Sequence, residues 1–228
     1  MILLDLLPIA ILGGLLGLDV VSFPQAMLSR PLVAATLAGV LVGHPLHGLV
    51  AGVVLELIAL ETLPFGASRY PEWGSASVVG GALAAGFGDG PPGALVVAVL
   101  GALAVAWAGG WTMFVVRRIN ASWARRSREG LEAGSYRTVA GLQLAGLTID
   151  LARGALLTGG ALLVLAPLLH AVVSLWSVDP RISRGVVVGV SATVAAGAAW
   201  KIFHTTRGAR WYFLGGAAIG LAVIGMLE

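Results

Sequence analysis

The sequence predicts an all-α polytopic membrane protein with roughly six to eight membrane segments, including re-entrant or broken helices in the first half. Three observations carry that prediction. Of 228 residues, 58% are hydrophobic and 11% charged, less than half the roughly one quarter that soluble domains use. The apolar runs are long, unalternated and rich in Ala, Leu and Gly, unlike the short alternating strands of a membrane barrel. The charges gather at the borders of those runs. The same composition excludes a disordered chain, a disulfide scaffold and a coiled coil. Without cysteine there is no thiol nucleophile, thiolate metal site or phosphocysteine.

Residues 1–21 form the first apolar stretch, with Asp5 near its start and Asp19 near its end. No basic segment or small-residue cleavage site marks it as a signal peptide, so it reads as a retained membrane helix. Residues 31–64 are apolar but interrupted by Gly43-His44-Pro45-Leu46-His47-Gly48. The pieces on either side are too short to span, which points to re-entrant or discontinuous helices beside a polar cavity. Residues 91–116 and 154–177 carry no charge, and each is long enough to cross. Residues 185–200 and 211–227 are shorter and suffice with thinning or packing support. Between the first two spans, residues 117–150 hold Arg117, Arg118, Arg125, Arg126, Arg128 and Arg137, and read as a basic cytoplasmic loop. Alternation puts Asp179, Arg181 and Arg184 outside and returns Lys201, Arg207 and Arg210 to the cytoplasm. The surplus of arginine sits at membrane borders without aromatic interleaving, so nucleic acid is not an expected partner.

The chain is asymmetric in charge. Residues 1–90 carry six acids and two bases, whereas the rest carries five acids and twelve bases. A carboxylate at bilayer depth costs about 2.5–3.5 kcal/mol on insertion scales, so it should face protein, water or ligand. Glu56 is therefore a site candidate, with Arg30 or a helix end as its alternative partner. Glu61 lies about 140° away on a helix and fits an interface. Pro71-Glu72-Trp73-Gly74-Ser75-Ala76-Ser77 adds an acid, an aromatic ring and small hydroxyls, parts that suit a sugar's hydroxyls and C–H face. An interfacial loop with Tyr70 and Trp73 in the aromatic belt fits the same composition.

Taken in order, Arg30-Pro31-Leu32, Gly39 with Gly43, Leu55-Glu56-Leu57-Ile58, Pro64-Phe65-Gly66-Ala67 and Pro71-Glu72 before Ala76-Ser77 resemble one family. It is the enzyme IIC component of the mannose/fructose/sorbose class of the bacterial sugar phosphotransferase system. Asp150-Leu151-Ala152-Arg153-Gly154 is similar to the entry of a later family helix. The resemblance implies one IIC-like domain over residues 1–228, with a substrate-site half at 1–90 and spans at 91–228. It implies a multi-pass subunit of the bacterial cytoplasmic (inner) membrane that translocates a hexose-like sugar. Partners would be a IID-type membrane subunit and IIB/IIA phosphocarriers in an oligomeric complex, and no phosphoryl-carrying residue or cofactor is expected here. The substrate-binding residues it implies are Gln25, Glu56, Gly66, Glu72 and Ser75. Glu72 stands where the family usually has Asp, one methylene shorter, which bears on sugar geometry.

The histidines suggest no chemistry. His44 and His47 are three apart in a Gly/Pro turn, with no third ligand clustered beside them, so no metal is expected. None of the four histidines has the Ser/Asp context of nucleophilic catalysis, so no catalytic residue is expected. Two other classes of function fit the residues. One is a non-transporting regulatory or assembly subunit of the same fold. The other is an unrelated secondary transporter in which Glu56 titrates to couple protons.

Overall fold

The computed structural model describes residues 3–62, 70–91 and 93–227, all helix and connecting turns without a strand. In chain order the helices are α1 (Leu3–Asp19), α2 (Pro31–Val42), α3 (Pro45–Ala59), α4 (Trp73–Phe87) and α5 (Ala94–Arg126). They continue with α6 (Arg128–Glu132), α7 (Tyr136–Ser174), α8 (Pro180–Phe203) and α9 (Ala209–Leu227). Among the described residues, α5, α7 and α8 are long and apolar enough to cross a membrane; α1 to α4 are shorter apolar helices. The expected polytopic all-α class is what folds.

The break expected at residues 43–48 is a helical hairpin. Gly43 ends α2 at φ 92°, a left-handed conformation that costs glycine little. Its N–H donates to Val40 O at 3.1 Å and that of His44 to Gly39 O at 2.9 Å. This pair of bonds is a Schellman closure. Pro45 then opens α3 in its first turn, where a missing N–H costs nothing. The two helices run antiparallel in backbone contact: a β-carbon on Gly39 would sit 2.9 Å from Gly48 Cα. At 12 and 15 residues they reach about 18 and 22 Å, short of a hydrocarbon core of about 30 Å.

Helix α4 occupies the centre. Every residue from Gly74 to Ala85 is buried, and its small side chains let α2, α5 and α7 close around it. The main apolar core joins Leu6, Ile9 and Leu16 of α1 to Val78, Val79 and Leu83 of α4 and Leu162, Leu169 and Val173 of α7. A smaller cluster joins Val54 and Leu55 of α3, Val99 and Ala102 of α5 and Val187 of α8. Phe213 of α9 meets Trp200 of α8, with ring centroids 5.8 Å apart.

One expectation is corrected. Residues 117–150 are not a loop: α5 continues to Arg126, α6 follows after Ser127, and α7 begins at Tyr136. Arg, Ala, Glu, Leu and Gln are good helix formers, and Arg125 and Arg126 fall in the last turn of α5, where cations meet the negative end of the helix dipole. Charge density does not mark where a helix stops. At the opposite end, Trp176 packs on Gly93 and donates from Nε1 to Ser183 Oγ at 3.0 Å. There His47, Asp89 and Arg184 line a cavity of 530 Å³.

Candidate functional site

The site is built on the start of α4. The Glu72 N–H donates to Ala106 O of α5 at 2.9 Å, which pins the residue ahead of the helix. Its side chain turns back over the first helical turn, and Oε1 accepts from Ser75 N at 3.0 Å. An acid suits this position because the free N–H groups and the helix dipole both favour negative charge. Ser75 Oγ donates to Gly13 O of α1 at 3.0 Å. Both residues are fully buried.

Helix α7 supplies the counter-charge. Arg153 Nη1 lies 3.9 Å from Glu72 Oε2, close enough for charge attraction and too far for a hydrogen bond. Arg153 Nε donates to Asp150 Oδ1 at 2.7 Å, and Nη1 reaches Thr112 Oγ1 of α5 at 3.4 Å. The other Asp150 oxygen accepts from Ser22 Oγ at 2.6 Å. Four helices and the segment after α1 thus meet on two carboxylates and one guanidinium. Glu72 Oε2 and Arg153 Nη2 are both buried without a hydrogen bond to any protein group. Glycines wall them: a β-carbon on Gly109 would lie 3.1 Å from Glu72 Oε2, and one on Gly17 would lie 3.3 Å from Arg153 Nη2.

Glu56 belongs to a different network. It pairs with Arg30 and accepts from Leu32 N at 3.2 Å, so the partner that the sequence offers as its alternative is the one it has. Its side chain is 20% exposed. Among the described residues, Glu56 and Glu72 share no partner. Gln25 lies on the exposed segment between α1 and α2 at φ 59°, with Nε2 donating to Val21 O at 2.7 Å. Asp19 organises that segment, accepting from Ala26 N at 2.6 Å and Ser29 N at 2.8 Å. Gly66 lies outside the described residues. Tyr70, just before Glu72, is buried, and its phenolic oxygen accepts from Arg117 Nη2 at 2.8 Å. Burial pushes the phenol above its ordinary pKa, with the Arg117 charge acting against the rise.

The sequence singles out Glu72 and Ser75 but not Asp150 and Arg153, which pack beside them. Their signal was present: opposite charges three residues apart, on one helix face, directly ahead of a charge-free run. Asp150 was grouped with the basic loop, and Arg153 was read only as a helix entry. On the side of the basic helix ends, a cavity of 480 Å³ opens between α5 and α7, lined by Asn120, Trp123, Gln143 and Gly146 among others. Ser22 lines it too, so it ends one hydroxyl from Asp150.

With this geometry in view, similarity to known proteins is informative. A solved structure described as a membrane protein superposes with a TM-score of 0.73 at 20% identity, covering 98% of this chain and 92% of that one. The mannose transporter ManYZ in complex with microcin E492 gives 0.62 at 19% identity, covering 100% and 93%. At such identities these likenesses speak for the fold. The fructose permease IIC component of Bacillus subtilis (strain 168) is 26% identical over 199 residues, 87% of this chain and 71% of that protein. The family of PTS system sorbose-specific IIC components matches residues 3–226. A match of that extent, on a multi-pass helical chain of the inner membrane, means that this protein belongs to the sorbose-specific IIC family of phosphotransferase-system sugar permeases.

Proposed function

We propose that this chain carries a neutral, hexose-like sugar across the inner membrane for phosphorylation by partner subunits, with Glu72 and Ser75 at its binding site. The observation that carries the reading is the Glu72 carboxylate, wholly buried at the junction of α1, α4, α5 and α7 with one oxygen free of protein hydrogen bonds. A carboxylate accepts hydrogen bonds from sugar hydroxyls, and binding repays part of its desolvation. Gln25, Glu56 and Gly66 complete the sequence-derived set. A IID-type membrane subunit and IIB/IIA carriers are the partners, and phosphoenolpyruvate is the ultimate phosphoryl donor.

Acids at the site also favour release. A phosphate monoester adds about −1.5 to −2 charge near neutral pH. A neutral sugar leaves bearing that charge, and like-charge repulsion from Glu72 opposes its return. The test is uptake into vesicles holding the complete set of subunits, with product analysis. The expected result is phosphoenolpyruvate-dependent accumulation of a sugar phosphate, lost on Glu72→Gln. Accumulation of unmodified sugar driven by a proton gradient would overturn the reading, as would unaltered uptake by the variant.

A further inference from the structure

From the two unbonded atoms of the Glu72–Arg153 pair, we infer that Arg153 is a second substrate-contacting residue and that a sugar hydroxyl bridges it to Glu72, with Asp150 as its positioning residue. The inference rests on the reading of Glu72 given above and extends it to a pair of residues on α7.

Arginine and a carboxylate that serve only to hold two helices together usually meet as a fork, in two parallel hydrogen bonds at about 2.7–2.9 Å. Here the nearest approach, Arg153 Nη1 to Glu72 Oε2, is 3.9 Å, and both Glu72 Oε2 and the other terminal nitrogen, Arg153 Nη2, are buried without a protein hydrogen bond. Leaving such groups unsatisfied costs on the order of 1–3 kcal/mol each, and more when they are charged. Both side chains are anchored through their other polar atoms, Glu72 Oε1 and Arg153 Nε. Glu72 is held by Ser75 N at 3.0 Å, and Arg153 by Asp150 at 2.7 Å. The pair is kept apart by its own supports.

The walls point the same way. At Gly17 a β-carbon would stand 3.3 Å from Arg153 Nη2 and 2.9 Å from Ser75 Oγ; at Gly109 it would stand 3.1 Å from Glu72 Oε2. The two glycines lie on different helices, α1 and α5, and each keeps side-chain atoms away from one of the two unbonded groups. What the pair offers is one acceptor and one donor, held apart. A hydroxyl answers both, since its O–H donates to Glu72 Oε2 while its lone pair accepts from Arg153 Nη2. The local charge supports a neutral ligand. Two carboxyl groups surround one guanidinium, so the site holds no surplus positive charge to draw an anion. The cavity between α5 and α7 brings solvent to Ser22, and from Ser22 the chain of contacts runs through Asp150 to Arg153.

The experiment measures equilibrium binding of radiolabelled D-fructose, D-mannose and L-sorbose, with the singly deoxygenated analogues of whichever binds, to the full chain in membranes with its partner subunits. The variants are Arg153→Lys, which keeps the charge but loses Nη2, Asp150→Asn and Glu72→Gln. In the unaltered protein one deoxy analogue should bind at least tenfold more weakly than its parent. In Arg153→Lys and in Glu72→Gln that discrimination should fall to within about twofold, because the hydroxyl no longer has both partners. Asp150→Asn should narrow it partially. A merely structural arginine would weaken every analogue by the same factor and leave the ratio intact, and that result overturns the inference. So does a bridging water only, shown by unchanged ratios in Arg153→Lys with binding itself undiminished. If Glu72→Gln removes the discrimination and Arg153→Lys does not, the Glu72 reading stands and the inference fails. If no sugar binds the unaltered protein, both fail.

Discussion

Replacing Gly81 by alanine should destabilise this protein, while the same replacement five residues later, at Gly86, should not. Both glycines lie in α4. A β-carbon on Gly81 would stand 2.5 Å from Ala35 Cα and 2.8 Å from its carbonyl carbon, whereas one on Gly86 has nothing within 4 Å. The obstacle at Gly81 is the backbone of α2, which cannot rotate away as a side chain can. Reaching ordinary contact needs a shift of roughly 1 Å between two packed helices, and overpacking of this kind costs about 1–3 kcal/mol. Helix propensity returns up to about 1 kcal/mol at either site. The net expectation is a loss of about 1–2 kcal/mol for Gly81→Ala and a neutral or slightly stabilising Gly86→Ala. Thermal unfolding of the detergent-solubilised chain reads this out, because 1 kcal/mol moves the midpoint by about 2–4 °C at this size. Equal midpoints for the two variants, or a higher one for Gly81→Ala, would refute the idea that α2 and α4 are in backbone contact.

Glu72→Ala should cost more stability than Glu72→Gln, by about 1 kcal/mol, because glutamine still offers an oxygen to Ser75 N and alanine does not; denaturation midpoints of the two variants check the order. Arg153→Ala should cost about 3–5 kcal/mol, the penalty of leaving Glu72 and Asp150 buried without their counter-charge. In contrast, a double-mutant cycle on the exposed Lys201–Glu61 pair, 2.9 Å apart, should give a coupling below about 1 kcal/mol that shrinks with salt. Because the chain has no cysteine, single introduced thiols report sidedness cleanly. Asp89→Cys should react with an impermeant maleimide on intact cells and Arg137→Cys only after permeabilisation; the reverse pattern would invert the topology.

The fold class was readable because hydrophobicity, length and border charge are local properties of the chain. The hairpin was readable too, since Gly43 and Pro45 dictate a stop and a start within three residues. Helix continuity through residues 117–150 was not readable from charge, because an arginine-rich stretch can be a loop or a helix with equal solubility, and intrinsic propensity decides. The buried site was half legible. A carboxylate just ahead of a small-residue helix stands out, as Glu72 does, but its partner lies 81 positions later; the i, i+3 spacing of Asp150 and Arg153 marks a shared face of α7 without saying that Glu72 meets it. For Glu56 the sequence offered both a site and a partner in Arg30, and only packing could show the contact with Arg30.

Helices α5 and α7 have a mechanical consequence. From Arg117 to the end of α5, and from the start of α7 to Asp150, they run on as helix for roughly 15 and 22 Å at a rise of 1.5 Å per residue. A flexible tether would let an approaching protein sample many heights and tilts. This paired extension, tipped by Arg125, Arg126, Arg128 and Arg137, holds one height above the buried carboxylates instead. It hands any tilt at its tip directly to the helices that cradle Glu72.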